Sequence, residues 1–150
     1  MSKECEVYTS KMLKTIEVLK SDFALSLIHI FENSREAVTG YMKELCERGA
    51  GAVVVTGLTE NDKVGAGFYD AESGTLGFLF HELIPVYYPG TGDLFTSVLT
   101  SSLIGKDRTL EQAVSDAALF VKECAEYTKE QGTPSIEGVQ FEKLLYKLIG

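Results

Sequence analysis

The amino-acid sequence predicts an α/β domain, on three observations. A helical pattern that starts at Asn33 and ends at Gly49 is followed directly by an apolar, β-branched run at residues 52–55. A glycine-rich turn at residues 90–93 then opens a second helical pattern, and a longer amphipathic one starts at Thr109. Because helices alternate with short strands along the chain, we expect helices packed on a sheet in one domain.

The composition is that of a folded globular protein. The chain has 150 residues, of which 45% are apolar and 24% are charged, and its net charge is −8. A chain of this size and apolar content can bury a hydrophobic core without disulfides or a structural metal, so a disordered protein is excluded. Net negative charge repels nucleic acid and anionic lipid, and no apolar run is long enough to span a bilayer. We therefore expect a cytoplasmic protein with neither nucleic acid nor membrane as a partner.

The first half of the domain predicts one helix and three strands. Asn33 and Glu36 have the spacing of a capping box, which places the start of the first helix. Residues 52–55 show no polar alternation, as expected of a strand covered on both faces, and predict a parallel strand core. Residues 64–69 and 75–80, joined by a loop of turn-forming residues, predict an antiparallel edge hairpin.

The second half predicts helices. Apolar residues recur at helical spacing over residues 94–103, and Gly105 can end that helix. Thr109 and Gln112 form a second capping box, and an apolar stripe continues over residues 110–128. A final amphipathic stretch covers residues 141–148.

Residues 1–30 are interpreted as a separate N-terminal segment of uncertain origin. They carry four basic and four acidic residues, so all the excess negative charge lies in residues 31–150. Residues 25–30 are apolar enough for a strand. They are also similar to the translation of a transposase mosaic end used in preparing sequencing libraries. Two alternatives stay open for residues 1–30: a native helix and strand, or foreign sequence left by an assembly artefact.

The turn formed by Gly90, Thr91, Gly92 and Asp93 predicts an anion site. Glycines let backbone N–H groups face a ligand without a Cβ atom, and a helix N-terminus adds partial positive charge. The turn is neither a Walker A loop nor a dinucleotide-binding turn. A carboxylate at Asp93 would repel bound phosphate unless it served as a base for an attacking hydroxyl. The alternative is that Asp93 or Thr91 only caps the helix.

The stretch at residues 90–95, Gly-Thr-Gly-Asp-Leu-Phe, resembles the C-terminal signature of the pyridoxal kinase family in the ribokinase-like superfamily. The resemblance runs from about Glu32 to the C-terminus, through residues 53–57 and 120–121. It implies a three-layer ribokinase-like α/β fold. Residues 31–150 would be the C-terminal nucleotide-binding and catalytic half, with a parallel strand core, an edge β-hairpin and C-terminal helices.

The resemblance also implies an activity, the ATP-dependent phosphorylation of the 5′-hydroxymethyl group of pyridoxal, pyridoxine or pyridoxamine. Asp93 would take the proton from that hydroxyl as its oxygen attacks the γ-phosphate of ATP. The backbone amides of Gly90, Thr91 and Gly92 would form the anion hole that stabilises the transferring phosphoryl group. ATP and Mg²⁺ are the implied cosubstrate and cofactor.

The nucleotide contacts implied by the resemblance are Thr56 and Gly57, which are placed at the end of the buried strand. Residues 84–89 resemble the family segment that flanks ATP. Two neighbouring groups are interpreted as structural. His81 is placed with Glu82 in an exposed loop, and residues 87–88, both tyrosine, are expected to pack at a strand end.

The sequence also departs from the family. Its members are longer, and their first half binds the vitamin and carries an Asn-x-x-Glu motif associated with magnesium. Asn33 and Glu36 match that spacing, but the capping box is the preferred interpretation, so no metal ligand is assigned. We expect the isolated chain to have little or no kinase activity, because one sheet edge and an apolar face would be uncovered.

Three alternatives remain for the function. The chain could belong to a hydroxymethylpyrimidine kinase or a sugar kinase of the same superfamily, since the retained half contacts phosphate and not the acceptor. It could also be a non-catalytic fragment that binds nucleotide or a partner subunit. A homodimer is left open.

Overall fold

The computed structural model describes residues 34–105 and 108–149. The chain divides into two compact units, Met1–Val38 and Thr39–Gly150. Within the first unit the described residues are 34–38, in and just before the first turn of a helix. The interpretation of residues 1–30 lies outside the described residues and stays a prediction.

The described helices follow the predicted order. Helix α1 spans Arg35–Glu47, α2 spans Thr91–Gly105 and α3 spans Leu110–Glu130, and two short 3-10 helices follow at Ser135–Glu137 and Glu142–Leu148. None of the described helices combines the length and the apolar character needed to cross a bilayer.

The ends of α1 show which local signals determine it. The Ser34 hydroxyl accepts a hydrogen bond from the Ala37 amide at 3.2 Å, so the capping residue is one position later than predicted. At the other end Gly49 has φ +113°, and the Ala50 amide reaches back to the Leu45 carbonyl at 3.1 Å. This left-handed glycine closure is a common helix C-terminus, and it confirms the predicted stop at Gly49.

The predicted capping box of α3 is confirmed. The Thr109 hydroxyl accepts from the Gln112 amide at 3.3 Å, and the Gln112 side-chain oxygen accepts from the Thr109 amide at 3.1 Å. Both bonds satisfy backbone donors that a helix start otherwise leaves without partners.

The strands form one antiparallel sheet. Strands β1 (Ala52–Glu60), β2 (Lys63–Asp70) and β3 (Leu76–Glu82) lie in the order β1-β2-β3. The predicted hairpin is confirmed as β2 and β3. A second hairpin joins β1 to β2 through Asn61 and Asp62, whose φ angles of +47° and +61° suit a tight two-residue turn.

The α/β class is confirmed, but parallel pairing is not found among the described strands. Parallel neighbours need a long crossover, whereas each described pair is joined by a short loop and pairs antiparallel. Residues 53–55 are half-buried and Ala52 is exposed, so full coverage of this run on both faces is also not found.

The core lies where α3 packs against α2, β2 and β3. Phe68 of β2 is one of its largest fully buried side chains, with 1% of its surface exposed. The other buried members of this cluster come from β2, both helices and two loops: Ala66, Tyr88, Phe95, Val98, Val114, Ala117, Phe120, Cys124, Ala125 and Val139. The predicted amphipathic stretch at residues 141–148 contains the 3-10 helix Glu142–Leu148, whose Leu144 and Leu148 pack on the core.

Candidate active site

The glycine turn connects the loop after β3 to α2. Gly90 has φ +91°, a conformation that glycine adopts without strain from a Cβ atom. Its carbonyl accepts from the Leu94 amide at 3.0 Å, and the Thr91 hydroxyl donates to the Tyr88 carbonyl at 3.3 Å. Among the described residues, the amides of Gly90, Thr91 and Gly92 donate no hydrogen bond. The turn therefore presents free donors at the positive end of a helix dipole.

A pocket of about 320 Å³ opens beside this turn. Thr91 and Gly92 line it from α2, and Thr56 and Gly57 line it from β1. Strands β2 and β3, the loop at residues 83–88 and one face of α3 complete its wall. Four of the predicted site residues, from two distant parts of the sequence, thus share one cavity.

Thr56 and Gly57 lie in the middle of β1 and not at its end. The pairing register with β2 shifts between Thr56 and Leu58, and Gly57 has φ +75°, so the strand contains a bulge at this point. A Cβ atom on Gly57 would meet nothing within 4 Å, so the backbone angle and not the available space favours glycine. The bulge interrupts the regular ladder beside the pocket.

Asp93 lies in the first turn of α2 and is exposed. It is not among the residues that line the pocket. In the described part of the chain its carboxylate makes neither a salt bridge nor a side-chain hydrogen bond, while its backbone carbonyl accepts from the Ser97 hydroxyl at 2.8 Å. The carboxylate is thus free to meet a ligand that approaches the turn from solvent.

Other pocket residues differ from the sequence-based interpretation. His81 is half-buried in β3 and lines the pocket, so its placement in an exposed loop was wrong. Tyr88 packs in the core as predicted, whereas Tyr87 is 64% exposed. The sequence reasoning missed Lys122 of α3, whose ammonium lies 3.5 Å from the Glu126 carboxylate. Its position next to the predicted apolar stripe of α3 was the available signal.

The described residues do not form a protein cage for a metal. They contain no group of three or more histidine, cysteine, aspartate or glutamate residues placed to hold one ion. Proteins often hold Mg²⁺ through one or two carboxylates together with substrate phosphates. Asp93 is the carboxylate of the turn, and we assign no further ligand.

Comparison with known proteins places the chain in a family. A family model described as phosphomethylpyrimidine kinase matches residues 2–137. The chain belongs to the phosphomethylpyrimidine kinase family. No curated protein sequence gives a significant match.

Solved structures similar to this phosphomethylpyrimidine kinase family member include those of two proteins that are 26–28% identical to it. A candidate phosphomethylpyrimidine kinase from Bacteroides thetaiotaomicron is 28% identical with a TM-score of 0.74, over 78% of this chain and 40% of that one. A second crystal form of the same protein, with pyridoxal, gives 27% identity and a TM-score of 0.69, covering 78% and 42%. A Bacillus subtilis pyridoxal kinase in complex with ADP is 26% identical with a TM-score of 0.52, covering 61% and 34%.

A pyridoxal kinase from Lactobacillus plantarum extends the likeness of fold. It is 22% identical with a TM-score of 0.63, over 73% of this chain and 40% of that one. The resemblance to pyridoxal kinases and the ribokinase-like α/β fold are thereby confirmed. This family member spans between 34% and 42% of the length of these four structures.

Proposed function

We propose that this chain is the nucleotide-binding and catalytic part of a kinase that phosphorylates the hydroxymethyl group of pyridoxal, pyridoxine or pyridoxamine. The observation that carries the proposal is the shared pocket. The strand bulge at Thr56 and Gly57 and the free amides at Thr91 and Gly92 line one cavity. Asp93 stands beside it, exposed and without an ion-pair partner in the described residues.

In this proposal the pocket holds ATP with its phosphates directed at the glycine turn. The hydroxymethyl oxygen of the acceptor attacks the γ-phosphorus, the bond from that phosphorus to the bridging oxygen breaks, and ADP leaves. Asp93 accepts the proton that the hydroxyl loses. The amides of residues 90–92 meet the negative charge on the transferring phosphoryl oxygens, which is where phosphoryl transfer needs stabilisation.

Mg²⁺ would neutralise phosphate charge when bound with ATP. Of the described residues, Asp93 alone combines a carboxylate with a place at the turn. No step of the proposal depends on a metal held by the protein.

A hydroxymethylpyrimidine is the second candidate acceptor. Both the family description and a 28% identical structure carry the phosphomethylpyrimidine kinase name. The other crystal form of that same protein contains pyridoxal, which favours the B6 vitamers. Competition between the two acceptors for one transfer reaction would rank them.

The experiment compares Asp93→Asn with wild type in two assays. Binding of the ATP analogue AMP-PNP is measured by calorimetry, and phosphate transfer is measured with the protein in excess over radiolabelled ATP. Because the amide keeps the shape of the carboxyl but accepts no proton, transfer should fall by about 10²–10⁴-fold while AMP-PNP binding persists.

The matched control is Glu111→Gln, which neutralises an exposed carboxylate in the first turn of the neighbouring helix α3. This variant should retain both binding and transfer. Because slow turnover is expected of the isolated chain, only AMP-PNP binding with no detectable transfer to any acceptor, even with wild-type protein in excess over ATP, would favour the non-catalytic alternative. Equal transfer by wild type and Asp93→Asn would refute the role of Asp93.

A further inference from the structure

Hydrogen bonds to the carbonyl oxygens of Pro89 and Gly90 fix the two peptide planes that lead into the glycine turn. A trans peptide is planar, so the carbonyl of one residue and the N–H of the next point in opposite directions. No peptide bond of the described chain is cis. A hydrogen bond to the Pro89 carbonyl therefore fixes the direction of the Gly90 N–H, and the bond from Leu94 to the Gly90 carbonyl fixes that of the Thr91 N–H.

The partner of the Pro89 carbonyl comes from the C-terminal part of the chain. The Val139 amide donates to it at 3.3 Å, and the Val139 side chain is buried in the core with 8% of its surface exposed. Gly138, with φ +82°, passes so close that an added Cβ would lie 3.2 Å from the Pro89 oxygen. The family match ends at residue 137, so it does not include residues 138–140.

A buried hydroxyl anchors this segment to α3. The Thr128 side chain is fully buried, and its hydroxyl accepts from the Gln140 amide at 2.8 Å while it donates to the Cys124 carbonyl at 2.6 Å. Gln140 directly follows Val139, so the Thr128 hydroxyl limits how far the Val139 amide can move from Pro89. Because a buried polar group costs free energy without its partners, both bonds of this hydroxyl favour the same position of the segment.

We propose that Thr128 is a positioning residue of the site: through residues 138–140 it orients the Gly90 N–H of the anion hole. The inference rests on the proposed function for the identity of the anion. A purely structural Thr128 would affect binding of any nucleotide to the same degree. If Thr128 positions the Gly90 amide, it affects only the ligand group that binds this amide, and in the proposed function that group is the γ-phosphate.

The test replaces Thr128 by valine, which keeps the shape and removes the hydroxyl. Affinities for AMP-PNP and ADP are measured by calorimetry, and the Gly90 and Gln140 amides are followed by ¹H–¹⁵N NMR. Loss of one hydrogen bond should weaken AMP-PNP binding on the order of fivefold, with ADP binding unchanged. The Gly90 resonance should shift and the Gln140 amide should lose protection from hydrogen exchange. Thr128→Ser keeps the hydroxyl and should restore wild-type values.

The matched control is Thr100→Val in α2. The Thr100 hydroxyl also donates to the carbonyl four residues earlier, at 2.8 Å to Thr96, but it lies on an exposed surface. This control should leave the Gly90 resonance and the ratio of the two affinities unchanged. If Thr128→Val fails to fold, Gly138→Ala takes its place, since its methyl group would displace the segment from Pro89 and should give the same selective loss.

The outcomes separate the two proposals. Weakened AMP-PNP binding with a shifted Gly90 resonance supports the positioning role. An unshifted resonance, or equal weakening of AMP-PNP and ADP, overturns it. A wild-type chain that binds neither nucleotide would refute the proposed function, and the Gly90 resonance of Thr128→Val would still show whether Thr128 orients that amide.

Discussion

Replacing Gly90 by alanine tests whether the backbone angle of the turn matters for nucleotide binding. Gly90 has φ +91°, and an added Cβ would meet no atom within 4 Å. The cost is therefore conformational and not steric, about 1–2 kcal/mol for an L-residue at positive φ. For a domain of this size that cost lowers Tm by about 2–8 °C.

The matched control is Gly74→Ala in the loop between β2 and β3. Gly74 has φ +69° and, like Gly90, open space around its Cβ position, so the cost in stability should be similar. Gly90 directly precedes Thr91 and Gly92, which line the pocket, whereas neither Gly74 nor its neighbours in sequence line it. Alanine at Gly74 should therefore leave nucleotide affinity unchanged. Alanine at Gly90 favours rotation of φ back to negative values, which turns the adjacent amides away from the anion.

The assay is a thermal melt together with AMP-PNP calorimetry on both variants. One hydrogen bond to a charged phosphate contributes about 1.5–3 kcal/mol, so Gly90→Ala should weaken binding by about tenfold or more. Similar Tm losses with similar affinities in the two variants would refute the idea that Gly90 shapes an anion hole.

Three further predictions concern stability and thiol chemistry. A Cβ at Gly65 would overlap the carbonyl oxygen of Leu79, so Gly65→Ala should lower the free energy of unfolding in urea by about 3 kcal/mol. A Cβ at Gly40 in α1 would meet no atom within 4 Å, so Gly40→Ala should raise that free energy. Hydrogen bonds lower the pKa of the Asp70 carboxyl; the largest effect comes from the Ser73 hydroxyl and a smaller one from backbone amides. The stabilisation from that charged form is present above the unfolded-state pKa and lost as pH falls through the lower folded pKa. The stability difference between wild type and Asp70→Asn, followed by urea unfolding, should therefore shrink below about pH 4. Burial raises the pKa of the Cys124 thiol to about 11, so iodoacetamide should label it only after unfolding, and labelling of the native protein at Cys124 would contradict this.

Local signals could be predicted from the sequence because their causes are local. The capping box of Thr109 and Gln112 depends on residues three apart, and the helix stop at Gly49 depends on one left-handed residue. The glycine turn and its helix are also recognisable in the sequence. The fold class could also be predicted, because the glycine turn resembles that of known kinases and the solved kinase structures share this fold.

The course of β1 could not be predicted, since it depends on partners distant in sequence. The apolar run from Ala52 favoured a short buried strand, but pairing with β2 extends β1 to Glu60. Asn61 and Asp62 are turn-forming residues, yet their role became apparent only through the antiparallel pairing on both sides. Gly57 then serves as a bulge within a strand and not as its end. Pocket membership of Lys122 likewise depends on how α3 packs; its place next to the apolar stripe of α3 indicated its helix face but not the cavity on that face.

The contact between Val139 and Pro89 has a consequence for how the site is made during synthesis. The residues of the glycine turn leave the ribosome well before the segment that holds the Pro89 carbonyl. A nascent chain that ends within α3 already contains every residue of the turn but lacks the donor that orients it. The Gly90 N–H thus takes the orientation seen in the structure only when residues 138–140 have been translated and have folded onto the rest of the domain.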